Sequence, residues 1–192
     1  MLPKVMILIV LLTISVWAGN YQIDLNKPRM VKFISRAPMD NFEGITDKID
    51  GYISWQGENP AEASELYFEV DLNSLDTGIG LRNRHMRENY LETDKYPMTH
   101  FTGKILKAEK KGDGEWLVTA QGKMFIHGME KEMEITGTLK AVESGFHIYS
   151  EFVVKLSDFQ IKIPKLMFFK IDENMRLQVD FYVEPMPADD GE

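Results

Sequence analysis

Between Ser74 and Phe101 the chain reads SLDTGIGLRNRHMRENYLETDKYPMTHF, which gathers three of its six arginines (Arg82, Arg84, Arg87) and two of its four histidines (His85, His100). Guanidinium groups present several donors in a planar fork. A cluster of them in an otherwise acidic chain suits the oxygens of a polar or phosphate-bearing headgroup. The competing role is local: Asp76, Glu88, Glu92 and Asp94 flank the cluster, and surface arginines commonly find such carboxylates, fastening a segment without touching a ligand. The residue types favour this second role for the cluster as a whole.

Other chemistries have less to work with. His85, His100, His127 and His147 stand at no ligand spacing and the chain has no cysteine, so neither a metal site, a thiolate nucleophile nor a cofactor is expected. Gly78-Ile79-Gly80 opens like a dinucleotide loop but lacks the strand and helix such a loop needs. Glu130, Glu132 and Glu134 share the wet face of a strand instead of converging as an acid–base pair. No serine occupies a Gly-x-Ser-x-Gly elbow. These patterns point away from an enzyme.

Composition narrows the setting. Met1 to Lys4 form a short positive start, Val5 to Val16 an uncharged apolar run, and Val16-Trp17-Ala18 a small-residue cleavage site, so residues 1–18 are expected to be a secretory signal peptide. The apolar run is shorter than the ~20 residues a spanning helix needs. The expected mature chain is soluble, exported and periplasmic, with one domain over residues 19–184 and an acidic, proline-bearing, disordered tail over 185–192. The formal net charge of −8 argues against nucleic acid and against an anionic membrane as the main partner.

Period-two alternation predicts the elements that must position these residues. Leu66, Phe68, Val70 and Leu72 alternate with Glu65, Tyr67, Glu69 and Asp71, giving one apolar and one wet face. The same holds for Trp116–Ile126, Met133–Ala141, Phe146–Val154 and Leu177–Val183. Shorter strands are predicted at Tyr21–Leu25 and Met30–Arg36, and a longer one at Ile45–Trp55. Short turn signals at Asn26-Lys27-Pro28, Gly57-Glu58-Asn59-Pro60, Lys111-Gly112-Asp113-Gly114, His127-Gly128 and Ser144-Gly145 suit antiparallel neighbours and leave no room for crossover helices. The eight or nine strands so joined predict an all-β barrel or sandwich, and the barrel is favoured because the strands are long and closure removes their edges. Gly80–Glu92 departs from the alternation and pairs Leu81 with His85 and Met86 with Tyr90 at i,i+4, so one short helix, capped near Thr77, is expected across a barrel end. Leu166-Met167-Phe168-Phe169 reads equally as a lip at a portal touching a membrane or partner and as a plug on the barrel end.

The chain resembles the YceI-like lipid/polyisoprenoid-binding family in Leu75-Asp76-Thr77-Gly78, in Arg82-Asn83-Arg84-His85-Met86, and in Tyr96-Pro97-Met98-Thr99-His100-Phe101. A second pattern runs from Gly122 through His127-Gly128 to Lys131, and Asp158-Phe159-Gln160-Ile161 is a third. Asn83 stands where the pattern usually has an acid. The resemblance spans nearly the whole mature chain and implies an eight-stranded antiparallel, lipocalin-like β-barrel that binds, carries or sequesters a long-chain isoprenoid or fatty-acid-like lipid. Within the matched motif, Arg82 and His85 are the positions for a headgroup or lid. Phe33, Phe68, Phe101, Ile126, Phe152 and Phe181 are the inward residues expected to line a tunnel. Their ordinary alternative is a core filled by side chains, which would make the chain a structural or protein-interaction module. Transient membrane contact and a homodimer complete the partners considered.

Overall fold

The computed structural model describes residues 19–36, 41–163, 165–166 and 169–187, with Lys165–Leu166 and Phe169–Lys170 described as backbone. The expected leader, the end of the tail and the side chains of the Leu166–Phe169 run lie outside the described residues. The strands are β1 (Gly19–Ile23), β2 (Met30–Ser35), β3 (Phe42–Thr46), β4 (Ile49–Trp55), β5 (Glu65–Asp71), β6 (Met98–Gly112), β7 (Glu115–Ile126), β8 (Met129–Val142), β9 (Gly145–Lys155), the short pair β10 (Lys165–Leu166) and β11 (Phe169–Lys170), and β12 (Asn174–Pro185). Between β5 and β6 lie a 3₁₀ turn (Leu72–Ser74), helix α1 (Gly80–His85) and a π-helical turn (Met86–Leu91); a second 3₁₀ turn (Leu156–Phe159) follows β9.

Neighbouring strands pair antiparallel from β4 through β9 to β12, and β1 joins β4 to β12, so the sheet closes into an eight-stranded barrel. Two of its eight walls are broken strands. β12 pairs with β2 over Arg176–Asp180 and with β1 over Val183–Pro185, so β1 and β2 share one edge in succession. On their other side, β4 pairs with β1 and β3 with β2. Pro28 can donate no backbone hydrogen bond where β1 gives way to β2. Arg29 ties the two breaks together, its Nε donating to Asp47 O at 2.6 Å and a terminal nitrogen donating to Leu25 O at 2.9 Å.

Three boundaries differ from expectation. The single strand expected over Ile45–Trp55 is two, because the break at Asp47–Lys48 shifts the inward parity: Thr46 is buried before it, Ile49, Ile53 and Trp55 after it, and Ile45 faces out. The helix expected over Gly80–Glu92 is one α turn passing into a π turn and ending at Glu92, whose φ of 45° is left-handed. Pro185 belongs to β12, and Met186 N–H donates to Asn20 O at 2.8 Å, so this chain end is bonded further than the tail reading placed it.

One barrel end is packed solid. Tyr21 stacks on Trp55 with centroids 5.0 Å apart, and Phe146, fully buried, meets Tyr21, Trp55 and Trp116 edge-on or tilted at 5.0, 5.1 and 6.2 Å. Burial pushes the Tyr21 phenol above its ordinary pKa, as a dry floor requires. The opposite end receives the α1 segment and the connection after β9.

Candidate ligand-binding site

A cavity of about 650 Å³ runs through the barrel from above this floor to the α1 end. It is hollow because of what the register brings together. Val118 pairs with Gly137, Gly137 with Ser150 and Ser150 with Val179, so one inward row across β7, β8, β9 and β12 holds only small or short side chains. All four line the cavity. Ser150 sits in this apolar row at little cost because its hydroxyl donates to Thr136 O at 2.7 Å.

The eight residues singled out in the sequence all line this one space: Phe33, Phe68, Phe101, Ile126, Phe152 and Phe181 along the walls, Arg82 and His85 at the mouth. Phe68 and Phe181 meet across the interior with centroids 5.1 Å apart, and Phe33 meets Phe42 edge-on at 6.1 Å near the mouth. The space is a blind cavity rather than a tunnel, since the aromatic floor closes its far end. Sequence reasoning missed the roof. Leu156, Phe159, Ile161 and Ile171 come from the irregular connection after β9, where no periodicity marks them as inward, and Met175 extends the alternation of β12 one step before Leu177.

At the mouth, α1 and the π turn present Leu81, Arg82, His85, Met86, Tyr90 and Leu91 to the cavity. The two i,i+4 pairs read from the sequence therefore lie on its inward face. Hydrogen bonds hold the segment more than apolar burial does, for neither helical part contains a buried residue. Thr77 does not cap the helix directly; Ile79 is the N-cap and makes no side-chain cap bond. Instead Asn83 Oδ1 accepts from Thr77 N–H at 2.8 Å and from its hydroxyl at 2.6 Å, while Asn83 Nδ2 donates to Asp76 Oδ1 at 2.7 Å. An acid at position 83 could accept from Thr77 but would repel Asp76, so the amide fits a role that needs donor and acceptor at once. The bond from Asn83, then that from Gly78 N–H, lowers the Asp76 pKa below its ordinary value.

Arg82 sits over the Phe42 ring, its guanidinium carbon 4.4 Å from the ring centre, and donates from Nε to Thr77 Oγ1 at 3.0 Å and from Nη2 to Thr77 O at 2.7 Å. Arg87 donates to Asn73 O at 3.2 Å. Glu92 turns to Lys95, 2.5 Å away, and lies 3.6 Å from His127; the Lys95 bond is the main cause of its lowered pKa. His127 occupies a two-residue hairpin turn with Gly128, both at positive φ (51° and 76°). Its ring nitrogen Nδ1 is 3.1 Å from Phe159 O, and Tyr96 packs edge-on to it at 5.1 Å. A Cβ on Gly128 would come within 2.7 Å of Tyr96, which explains a glycine after His127. The His-Gly and Tyr-Pro motifs thus meet where the helical segment, the β7–β8 turn and the roof join. Among the described residues no group of histidines and carboxylates is arranged to hold a metal ion.

A family model described as the YceI-like domain matches residues 21–183. A UPF0312 protein of Photorhabdus laumondii is 30% identical over 157 residues, covering 77% of this chain and 79% of that protein. A UPF0312 protein of Yersinia enterocolitica is 28% identical over 156 residues, covering 77% and 78%. Among solved structures, a polyisoprenoid binding domain from Saccharophagus degradans superposes with a TM-score of 0.68 at 17% identity, over 86% of this chain and 98% of that one. BcnA of Burkholderia cenocepacia does so with a TM-score of 0.68 at 19% identity, over 84% and 98%.

Proposed function

The chain belongs to the YceI-like domain family, and we propose that it binds, carries or sequesters a long-chain amphiphile, a polyisoprenoid or a fatty-acid derivative. The tail occupies the barrel, against Phe33, Phe68, Phe101, Ile126, Phe152 and Phe181, and the polar head sits at the mouth beside Arg82 and His85. The blind apolar cavity carries this reading: its volume of about 650 Å³ is more than a side-chain-filled barrel would leave. At the ~30 Å³ a water-sized group occupies in a liquid, it has room for about 20 non-hydrogen atoms, or about four isoprene units. The likeness to a fold described as polyisoprenoid-binding supports the ligand class.

Simple burial supplies the affinity. Each CH₂ taken from water contributes ~0.8 kcal/mol, so a five-carbon unit contributes roughly 3 to 4 kcal/mol, and a few units outweigh the cost of association. The reading asks for no covalent step. Export to the periplasm through the leader at residues 1–18 belongs to the same proposal, as a compartment where a membrane lipid needs an aqueous carrier. Organic extraction of the purified protein followed by mass spectrometry is expected to release an amphiphile with one long apolar tail. An empty barrel that also refuses polyisoprenols and fatty amides would sink the reading. Phe101→Asp or Phe68→Asp is expected to abolish uptake by placing a carboxylate against the tail.

A further inference from the structure

We propose that the rim of the barrel mouth is a docking face for a lipid surface carrying anionic headgroups, and that the cavity opens onto that surface. This rests on the cavity being a lipid site and adds where the lipid enters. Gly78 to Arg87 reads GIGLRNRHMR: three arginines and a histidine without one acid, in a chain whose net charge is −8. Ile79 and Leu81 line the cavity yet are 52% and 55% exposed, so each borders the apolar interior and solvent together. Arg84 stands exposed between Leu81 and His85 along the helix. Ile45, also exposed, extends the patch, for it bridges to Asp76 at the start of the segment.

Single exposed apolar side chains are ordinary, and Leu25, Leu106 and Val153 are such cases, none of them lining the cavity. Ile79 and Leu81 differ because they continue the cavity wall out to the surface and have basic neighbours. Apolar side chains flanked by arginine are how an amphipathic segment sits at the headgroup boundary, the apolar part among acyl chains and the guanidinium groups against phosphates. Four acids flank the stretch, Asp76, Glu88, Glu92 and Asp94. Asp76 is engaged by Asn83 and Gly78, and Glu92 by Lys95. Glu88 and Asp94 are exposed, and both lie after residues 79–84, which carry the exposed apolar side chains. The acidity of the remaining surface orients the molecule: at physiological salt charges act over about 8 Å, so the rim can meet an anionic surface while the rest is turned away.

The test is co-sedimentation of the chain from Gly19 onward, which holds every strand of the closed barrel, with vesicles of phosphatidylcholine containing phosphatidylglycerol or of phosphatidylcholine alone. Binding to the anionic vesicles is expected to be several-fold greater and to fall toward the neutral level in high salt. Arg84→Glu, a change outside the cavity lining, is expected to lower it several-fold. Lys111→Glu, the same charge change at the far barrel end, is expected to leave it little changed. Equal binding to both vesicles, or equal loss from both substitutions, overturns the proposal. Lipid held inside is read separately by solvent extraction. Protein that retains lipid but ignores vesicles loses only the docking face, and protein that docks but comes away empty loses only the cavity reading.

Discussion

The two ends of this barrel are built from different forces. At the floor, four aromatic rings from four strands interlock, and Phe146 has no accessible surface at all. At the mouth, a helical segment without a single buried residue is tied down by Thr77, Asn83, Asp76 and Glu92. Apolar packing is stiff, and removing part of it costs in proportion to what is lost. Exposed hydrogen bonds open locally at low cost. The floor therefore sets the length of the cavity and much of the stability, and the mouth is where a ligand can pass.

The largest effect that would sharpen this contrast lies in the floor. Phe146→Ala is expected to cost about 3 to 5 kcal/mol in chemical denaturation. Trp55→Phe should cost clearly less than Trp55→Ala, because Trp55 Nε1 is buried without a hydrogen-bond partner and only volume is given up. A similar cost from Tyr90→Ala at the mouth would break the comparison.

Next in size is a change at the waist. Val179→Trp projects a large ring into the hollow row opposite Ser150 and should eliminate uptake of a long-tailed lipid, measured by displacement of a fluorescent fatty acid. Because the ring enters empty space, the thermal midpoint should move far less than for the floor substitution. Unchanged uptake would mean the tail lies elsewhere.

Asn83→Asp is smaller and confined to the mouth. It replaces a donor to Asp76 with a second negative charge, and a lost hydrogen bond of this kind is worth about 1 to 2 kcal/mol. Hydrogen exchange should speed up over residues 77–91 and stay unchanged at Trp55 and Phe146. Uniform speeding across the barrel would show that the two ends are one cooperative unit.

The smallest effect is with pH. Asp76 and Glu92 have folded-state pKa values below their ordinary ones, so what they contribute to the mouth is complete above the ordinary carboxylate range and is lost as pH falls through the lowered values. Protection from exchange at the mouth, relative to the intrinsic rate at each pH, should be flat from pH 7 to 5 and fall only under stronger acid. A loss of protection already at pH 6 would contradict carboxylate control.

These contrasts were unequally legible in the sequence. Strands with one dry face, such as β7 and β12, show their inward residues by alternation alone: Phe68, Phe152 and Phe181 line the cavity, while Trp116 and Phe146, equally inward, fill the floor. Alternation failed at Asp47–Lys48, where a two-residue break between β3 and β4 reverses parity and leaves Ile45 outward. It was also silent on whether the barrel is hollow. That depends on Val118, Gly137, Ser150 and Val179 falling in one row, and the rows are set by register between strands, which a single strand does not reveal. The mouth was read correctly as a short helix. Its fastening was read less well, since Thr77 reaches the Asn83 side chain instead of the first free backbone donors.

The account turns on a cavity that is apolar, blind and open at the α1 end. Titrating lipid-stripped protein with a series of isoprenoid alcohols tests it most directly. Affinity should climb with each added five-carbon unit up to about four units, where the ~30 Å³ per non-hydrogen atom has filled the cavity, and then level off. Affinity independent of tail length, or no binding at any length, would contradict it.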